Sequence, residues 1–402
     1  MSSAATHPSL EYLLVAAVAG AATFVATPIA RAFAVAWGAI ARPRDRDVHA
    51  VAIPRLGGLG ILLGLSLAIF VAGQLPTLRA AFGSGPELPW IVASAALICF
   101  IGALDDRYEL DSITKLAGQV LATGLMVTRG GVQLAFVYLP WGDNGTFILS
   151  RDIAIPVTIL FTVLTINAIN FVDGLDGLAA GVTAIAAGSF FVFSYTLAQN
   201  GHIDVAAPPL LLTAVLVGAC LGFLPHNFVP ARIFMGDSGS MLIGLILSAA
   251  ATTATTATDP QTLDGAGKYL PIALPLLLML AVLAIPFVDL MLAVVRRIAR
   301  GQSPFAPDKR HLHHRLLELG HSHRRAVLLM YFWTALLAFG ATAFSIFHGA
   351  WVLVLMLAAG LVLGVLLLVV PRLRQRRKPA IFPEQAQWRA DATRTGAGRG
   401  AP

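Results

Sequence analysis

The sequence predicts an all-α polytopic membrane protein of about 11 transmembrane helices, and three observations carry that prediction. Of the 402 residues 57% are hydrophobic and only 12% charged, about half the charge of a soluble chain. The apolar residues fall in separate runs of about 16 to 25, each able to satisfy its own backbone hydrogen bonds and to cross a bilayer core as a helix. Lys and Arg alternate between dense and sparse from one inter-run loop to the next. These features exclude a soluble multidomain chain, a disordered chain and a β-barrel.

In chain order the spans read 10–37, 56–75, 90–104, 114–128, 152–168, 178–199, 208–224, 240–258, 269–294, 326–347 and 350–370, the fourth and eighth carrying the weakest pattern. No Lys or Arg precedes the first run, so it lacks the basic flank of a secretory signal and is expected to be retained. Between the fourth and fifth spans, 131–150 places β-formers on both sides of Gly142-Asp143-Asn144-Gly145 and reads as a small external β-hairpin. Residues 1–371 form a single transmembrane domain. Residues 372–402, opening with Arg372, Arg374, Arg376, Arg377 and Lys378, form a basic flexible tail suited to anionic lipid.

Charge orients these spans. The loops 41–55, 105–115, 169–177, 225–239 and 296–326, with the tail, hold 23 of the 28 Lys and Arg residues, whereas the opposite loops hold only Arg79, Arg129, Arg151 and Lys268. By the positive-inside rule the N-terminus is expected outside and the C-terminus in the cytoplasm. The net charge of +7 is thus a matter of orientation, and nucleic acid is not an expected partner. Cys99 and Cys220 both lie inside apolar runs, which leaves no disulfide framework and no thiolate metal site.

Four chemistry-bearing clusters, separated by even numbers of spans, emerge on the cytoplasmic face: Asp105-Asp106, Asp173 with Asp176, Asp237, and His311-Leu312-His313-His314. Adjacent Asp105 and Asp106 repel one another unless a cation lies beside them, either a divalent ion or Arg107 and Lys115. Asn167, Asn170 and Asp173 recur every third residue, on one helical face, and Gly174 and Gly177 then allow close approach of backbone. A helix cap and turn accounts for one of these polar groups but not for two Asn and two Asp. Gly236-Asp237-Ser238-Gly239-Ser240 opens the eighth span, where free amides favour an anion and Asp237 is also a candidate N-cap. The loop 304–325 mixes His311, His313, His314, His321 and His323 with Lys309, Arg310, Arg315, Arg324 and Arg325, a density that suits phosphate better than zinc. His49, before Pro54-Arg55-Leu56-Gly57-Gly58, is the one further histidine in such company. No nucleotide-hydrolysing loop of the Gly-x4-Gly-Lys-Ser/Thr type and no Gly-x-Ser-x-Gly elbow occurs. The pattern describes chemistry between a soluble phosphorylated donor and a membrane-bound acceptor.

Five fragments, in order, resemble the bacterial polyprenyl-phosphate N-acetylhexosamine-1-phosphate transferases, of glycosyltransferase 4 type. They are Pro54-Arg55-x-Gly57-Gly58, Gly102-x2-Asp105-Asp106, Asn167-x2-Asn170-x2-Asp173-Gly-x-Asp176-Gly177, Asn227-x2-Pro230 through Phe234-Met235-Gly236-Asp237-Ser-Gly239-Ser240, and Pro307-Asp308-Lys309-x-His311-x-His313-His314-Arg315. The His-x-His-His form and Pro54-Arg55 resemble the N-acetylglucosamine branch. The peptidoglycan branch, which transfers phospho-N-acetylmuramoyl-pentapeptide and usually shows Pro-Thr-Met-Gly-Gly and three consecutive histidines, is the alternative.

The resemblance implies transfer of N-acetylglucosamine-1-phosphate from UDP-N-acetylglucosamine to an undecaprenyl or decaprenyl phosphate, releasing UMP, with Mg2+ or Mn2+ as cofactor. This sets the expected location in the bacterial plasma membrane, with the bilayer as partner and a homodimer among the assemblies it allows. It also implies the roles of residues. Asp237, with Asp106 or Asp173, would hold the metal; Asp105 would orient or deprotonate the lipid phosphate, and Asp173 and Asp176 would shape the nucleotide-metal site. Asn170 and Asn227 would bond the donor, Phe234 would stack on uracil, and His311, His313, His314 and Arg315 would bind the sugar phosphate. His49, Arg55, Lys115, Asn167 and Lys309 complete the substrate-binding set. Direct attack by the lipid phosphate is favoured over a covalent Asp intermediate because it needs one step. Two other classes fit less well. A secondary transporter would carry ionisable groups at mid-span, whereas Asp289 lies seven residues before Arg296, near the cytoplasmic end of its run, and a membrane prenyltransferase would have no use for the His-x-His-His loop.

Overall fold

The computed structural model describes residues 8–41, 52–83, 85–138, 146–258, 322–347, 351–352 and 354–362. Among the described residues the chain is mostly helical: α1 (Pro8–Trp37), α2 (Gly57–Ala72), α3 (Glu87–Tyr108), α4 (Ser112–Arg129), α5 (Arg151–Val172), α6 (Leu178–Gln199), α7 (Pro208–Asn227), α8 (Gly236–Ala257) and α9 (His323–Phe347). All but α2 and α4 are long and apolar enough to cross a membrane, which makes seven. The expected second span, α2, has 16 residues. The expected fourth, α4, keeps its polar groups on one side and is less apolar than the seven. The expected ninth span, the loop containing His311, His313 and His314, and the tail lie outside the described residues, as do 363–370 of the eleventh span. A separate unit begins at Val354, and its residues 354–362 are helical.

The eighth span was the weaker expectation and is the most enclosed helix. Its residues from Ser238 to Thr255 are all buried, packed by α2, α3, α5 and α7. A helix rich in Gly, Ala, Ser and Thr lets neighbours approach on every side, which is how helices associate where lipid provides no hydrophobic drive. The same device joins α1 to α7: a Cβ on Gly218 would lie 2.0 Å from the Ala16 carbonyl oxygen, and one on Gly222 would lie 2.1 Å from that of Gly20. Pro28 interrupts α1 and deprives the Phe24 carbonyl of its helical donor. His226 Nε2, at the end of α7, donates to that carbonyl at 3.0 Å while its ring packs on Phe24.

Two strand pairs complete the described chain. β3 (Phe136–Tyr138) runs antiparallel to β4 (Thr146–Ile148) with Val137 opposite Phe147, as expected for the hairpin within 131–150; its turn lies outside the described residues. The other pair was not anticipated. β1 (Ile40–Ala41) pairs antiparallel with β2 (Ile53–Pro54) at the end of α1, and the chain leaving β2 is bonded in turn to the approach to α8. Phe234 N donates to Pro54 O at 2.8 Å, Gly57 N to Phe234 O at 3.0 Å and Gly58 N to Met235 O at 3.1 Å.

Candidate active site

The site grows from the ends of four helices. α3 stops where Glu109 adopts a left-handed φ of 51°, and Asp105 holds that turn by accepting from Leu110 N through Oδ1 at 2.8 Å. Asp111 then caps α4, its Oδ1 accepting from the amides of Ile113 and Thr114, both at 3.0 Å. The Thr114 hydroxyl and amide hold the exposed Asp111 carboxyl below its usual range. This cap sets the first turn of α4 so that Lys115 turns back toward α3. Its Nζ lies 3.2 Å from Asp105 Oδ2 and contacts Asp237 Oδ2 on α8.

Asp237 is bound on its other side by Asn170 of α5, whose Nδ2 donates to Asp237 Oδ1 at 2.6 Å and to Ser240 Oγ at 2.8 Å. Asp105, Lys115, Asn170 and Asp237 thus form one polar array, from α3, α4, α5 and α8. Asp237 is not an N-cap; it sits in the first turn of α8, after Met235 at the cap position, which makes no side-chain bond. The anion at that helix end is Asp106. Its Oδ1 accepts from Asp237 N at 2.9 Å and its Oδ2 from Ser238 N at 3.1 Å, the charge and geometry that a helix N-terminus favours. Two glycines permit the approach. A Cβ on Gly236, whose φ is +69°, would lie 2.3 Å from Asp106 Oδ2, and one on Gly102 would lie 2.5 Å from the Asp237 carbonyl.

Beside this array the Asp173-Gly-Leu-Asp176 turn follows α5. Asp173 is held well above the usual carboxylate range, first by burial and then by the negative charges of Asp106 and Asp176, with Arg55 opposing. Asp176 is buried and accepts from Ala231 N at 2.9 Å. Asn227, equally buried, accepts from Gly177 N and donates to Ile233 O, both at 3.0 Å. Asn167 lies one turn deeper than Asn170 and donates to Gln119 Oε1 at 2.6 Å and to Val163 O at 2.8 Å.

The structure therefore brings together Asp105, Asp106, Lys115, Asn170 and Asp237, with Arg55, Asp173 and Asp176 within electrostatic reach. Asn167 and Asn227 spend their amides on protein partners. Phe234 stands in the loop bonded to Pro54 and Gly57. His49, Lys309, His311, His313, His314 and Arg315 lie outside the described residues. Sequence reasoning missed Gln119, four residues beyond Lys115 on α4, and Tyr331 of α9, whose hydroxyl donates to Gly177 O at 2.5 Å; Arg324, read with the basic loop suited to phosphate, donates from Nη2 to Val229 O at 3.0 Å. Only the i to i+4 spacing of Lys115 and Gln119 offered a signal.

No group of three or more His, Cys, Asp and Glu suited to a metal occurs among the described residues. The oxygen donors of Asp105 and Asp237, already drawn to one ammonium, nevertheless suit Mg2+, which commonly takes one or two carboxylates and completes its shell with water and substrate phosphates.

The model for "Glycosyl transferase family 4" matches residues 88–255, which run from α3 into α8 and contain the whole polar array. Decaprenyl-phosphate N-acetylglucosaminephosphotransferase of Mycolicibacterium smegmatis is 47% identical over 92% of this chain and 90% of its own. The chain belongs to glycosyl transferase family 4. Two further family members extend the comparison. A Bacillus subtilis protein named probable undecaprenyl-phosphate N-acetylglucosaminyl 1-phosphate transferase is 34% identical over 76% of this chain and 77% of its own. The Escherichia coli K12 undecaprenyl-phosphate alpha-N-acetylglucosaminyl 1-phosphate transferase is 30% identical over 83% and 85%.

Proposed function

We propose that this family 4 enzyme transfers N-acetylglucosamine-1-phosphate from UDP-N-acetylglucosamine to a polyprenyl phosphate, releasing UMP, at the cytoplasmic face of a bacterial plasma membrane. The observation that carries the reading is the array of Asp105, Lys115, Asn170 and Asp237, in a chain 47% identical to a decaprenyl-phosphate N-acetylglucosaminephosphotransferase. In the reaction an oxygen of the lipid phosphate attacks the sugar-bearing phosphorus. The bond from that phosphorus to the bridging oxygen breaks, and UMP leaves with the oxygen.

Such a displacement needs neutralisation of charge and alignment more than a strong base. Asp237 and Asp105, with the Asn170 amide oxygen, are the groups that would hold Mg2+ or Mn2+. A bound divalent ion supplies neutralisation of the pyrophosphate charge. Lys115 adds a second positive charge for the donor, and Asp105 orients the acceptor phosphate. Asp106 positions Asp237 by fixing the start of α8, a role distinct from the metal ligation that the resemblance implied. Arg55 balances Asp173, while His311, His313, His314 and Arg315 bind the sugar phosphate and Phe234 the uracil. The positive-inside count supports eleven spans, with the N-terminus outside and the C-terminus in the cytoplasm.

The test uses detergent-purified protein with polyprenyl phosphate, radiolabelled UDP-N-acetylglucosamine and Mg2+, scoring labelled lipid and UMP. Labelled lipid with UMP, abolished by EDTA and by Asp237→Ala, is the expected result. UDP as co-product overturns the phosphosugar mechanism, and turnover with the muramoyl-pentapeptide donor alone moves the protein to the peptidoglycan branch.

A further inference from the structure

Asp105 and Asp237 each direct one oxygen, Oδ2, at the same Lys115 ammonium. Their remaining oxygens are spent elsewhere: Asp105 Oδ1 on Leu110 N, Asp237 Oδ1 on Asn170. The oxygens that converge between α3 and α8, where both carboxylates could hold one divalent ion, are those that the ammonium already holds. A strongly hydrated point charge on a flexible four-carbon stem is well suited to leave such a position, and Lys115, Asp105 and Asp237 are all partly open to solvent, with side-chain exposures of 19%, 12% and 24%. Asp106 offers no alternative because both its oxygens bind the amides of α8. Two positive charges between one pair of carboxylate oxygens repel strongly at such distances, so ammonium and divalent ion exclude one another.

We infer that Lys115 is the resident counter-ion of the metal-free site, and that the entering divalent cation expels its ammonium and frees it to pair with the donor's phosphates. Loading of the metal and binding of the phosphorylated donor are thereby coupled through one side chain. The inference rests on the reading that Asp105 and Asp237 take a divalent cation. It goes beyond that reading by making Lys115 a competitor of the metal, so Lys115 weakens metal binding while it strengthens donor binding.

The experiment measures Mn2+ binding to the full chain in detergent, without nucleotide, from the electron paramagnetic resonance signal of free Mn2+. A site available only when its internal occupant leaves binds with an affinity lowered by the available fraction, so Lys115→Met is expected to tighten Mn2+ binding about tenfold. Lys115→Arg, which keeps the charge, stays near the parent value. A parallel measurement on the parent protein needs no variant. Acetic anhydride labelling, read by mass spectrometry over the chain's four lysines, is expected to rise at Lys115 when Mn2+ is added. Unchanged or weaker Mn2+ binding in folded Lys115→Met overturns the inference. If that variant does not fold, unchanged labelling of Lys115 on adding Mn2+ overturns it. Absence of Mn2+ binding to the parent, even with UDP-N-acetylglucosamine present, overturns the underlying metal reading as well.

Discussion

Asp and Asn side chains occupy two neighbouring regions of the molecule and bond in opposite ways. At the junction of α3, α4, α5 and α8, Asp105, Asp237 and Asn170 bond chiefly to other side chains, which rotate and exchange partners. At the junction of α6, α7 and α9, Asp176 and Asn227 bond to backbone at Ala231, Gly177 and Ile233, and Tyr331 bonds to Gly177 O. Backbone groups in loops have no alternative partner once water is excluded. Polar groups of the first kind can exchange partners with a ligand, and those of the second kind hold the neighbouring loops in place.

The sharpest way to break this distinction is Asp237→Asn. Turnover is expected to fall by about 10³, the scale seen when a preorganised electrostatic group is removed, while the thermal midpoint in detergent stays within a few degrees of the parent. A collapse of the midpoint would place Asp237 among the structural carboxylates. Asn227→Ala tests the other region: it orphans a buried amide and a buried carbonyl, and about 2 to 3 kcal/mol of stability is expected to be lost, read from thermal unfolding in detergent. An unchanged midpoint with lost activity would move Asn227 to the ligand-binding group. The smallest effect, and of opposite sign, belongs to Asp173→Asn. Because the native pKa of Asp173 is raised, its carboxylate costs stability as pH climbs above the unfolded value of about 4. The metal-free variant is therefore expected to match the parent near pH 4 and to exceed it in thermal midpoint toward pH 7. A parent more stable than the variant at neutral pH would show that Asp173 has a positive partner stronger than Arg55.

Much of this was legible in the sequence. The seven helices long and apolar enough to cross a membrane coincide with runs of apolar residues, and the meeting of Asp105, Asn170 and Asp237 agrees with the expectation that their loops share one face. The division of labour between Asp105 and Asp106 was not legible. It depends on α8, whose Asp237 amide lies 131 residues after Asp106 and which brings two amides to one carboxylate. Asn167 shares a helical face with Asn170 by spacing, yet it lies one turn deeper, where Gln119 from another helix is waiting. α4 shows the limit of hydropathy from another side. Its run reads as apolar, yet Lys115 and Gln119 give it a polar face whose partners are Asp105 of α3 and Asn167 of α5.

The clamp of Asp106 on the start of α8 also orders events during synthesis. The side chain is made 131 residues before the Asp237 amide that it receives, so during insertion of the intervening helices Asp106 has neither of its α8 donors. Emergence of Gly236 to Ser238 supplies both amides and, in the same step, delivers Asp237 to Lys115. A nascent chain halted before α8 carries three-fifths of the protein, with Asp105 and Lys115 both present, but it lacks Asp237 and the two amides that receive Asp106.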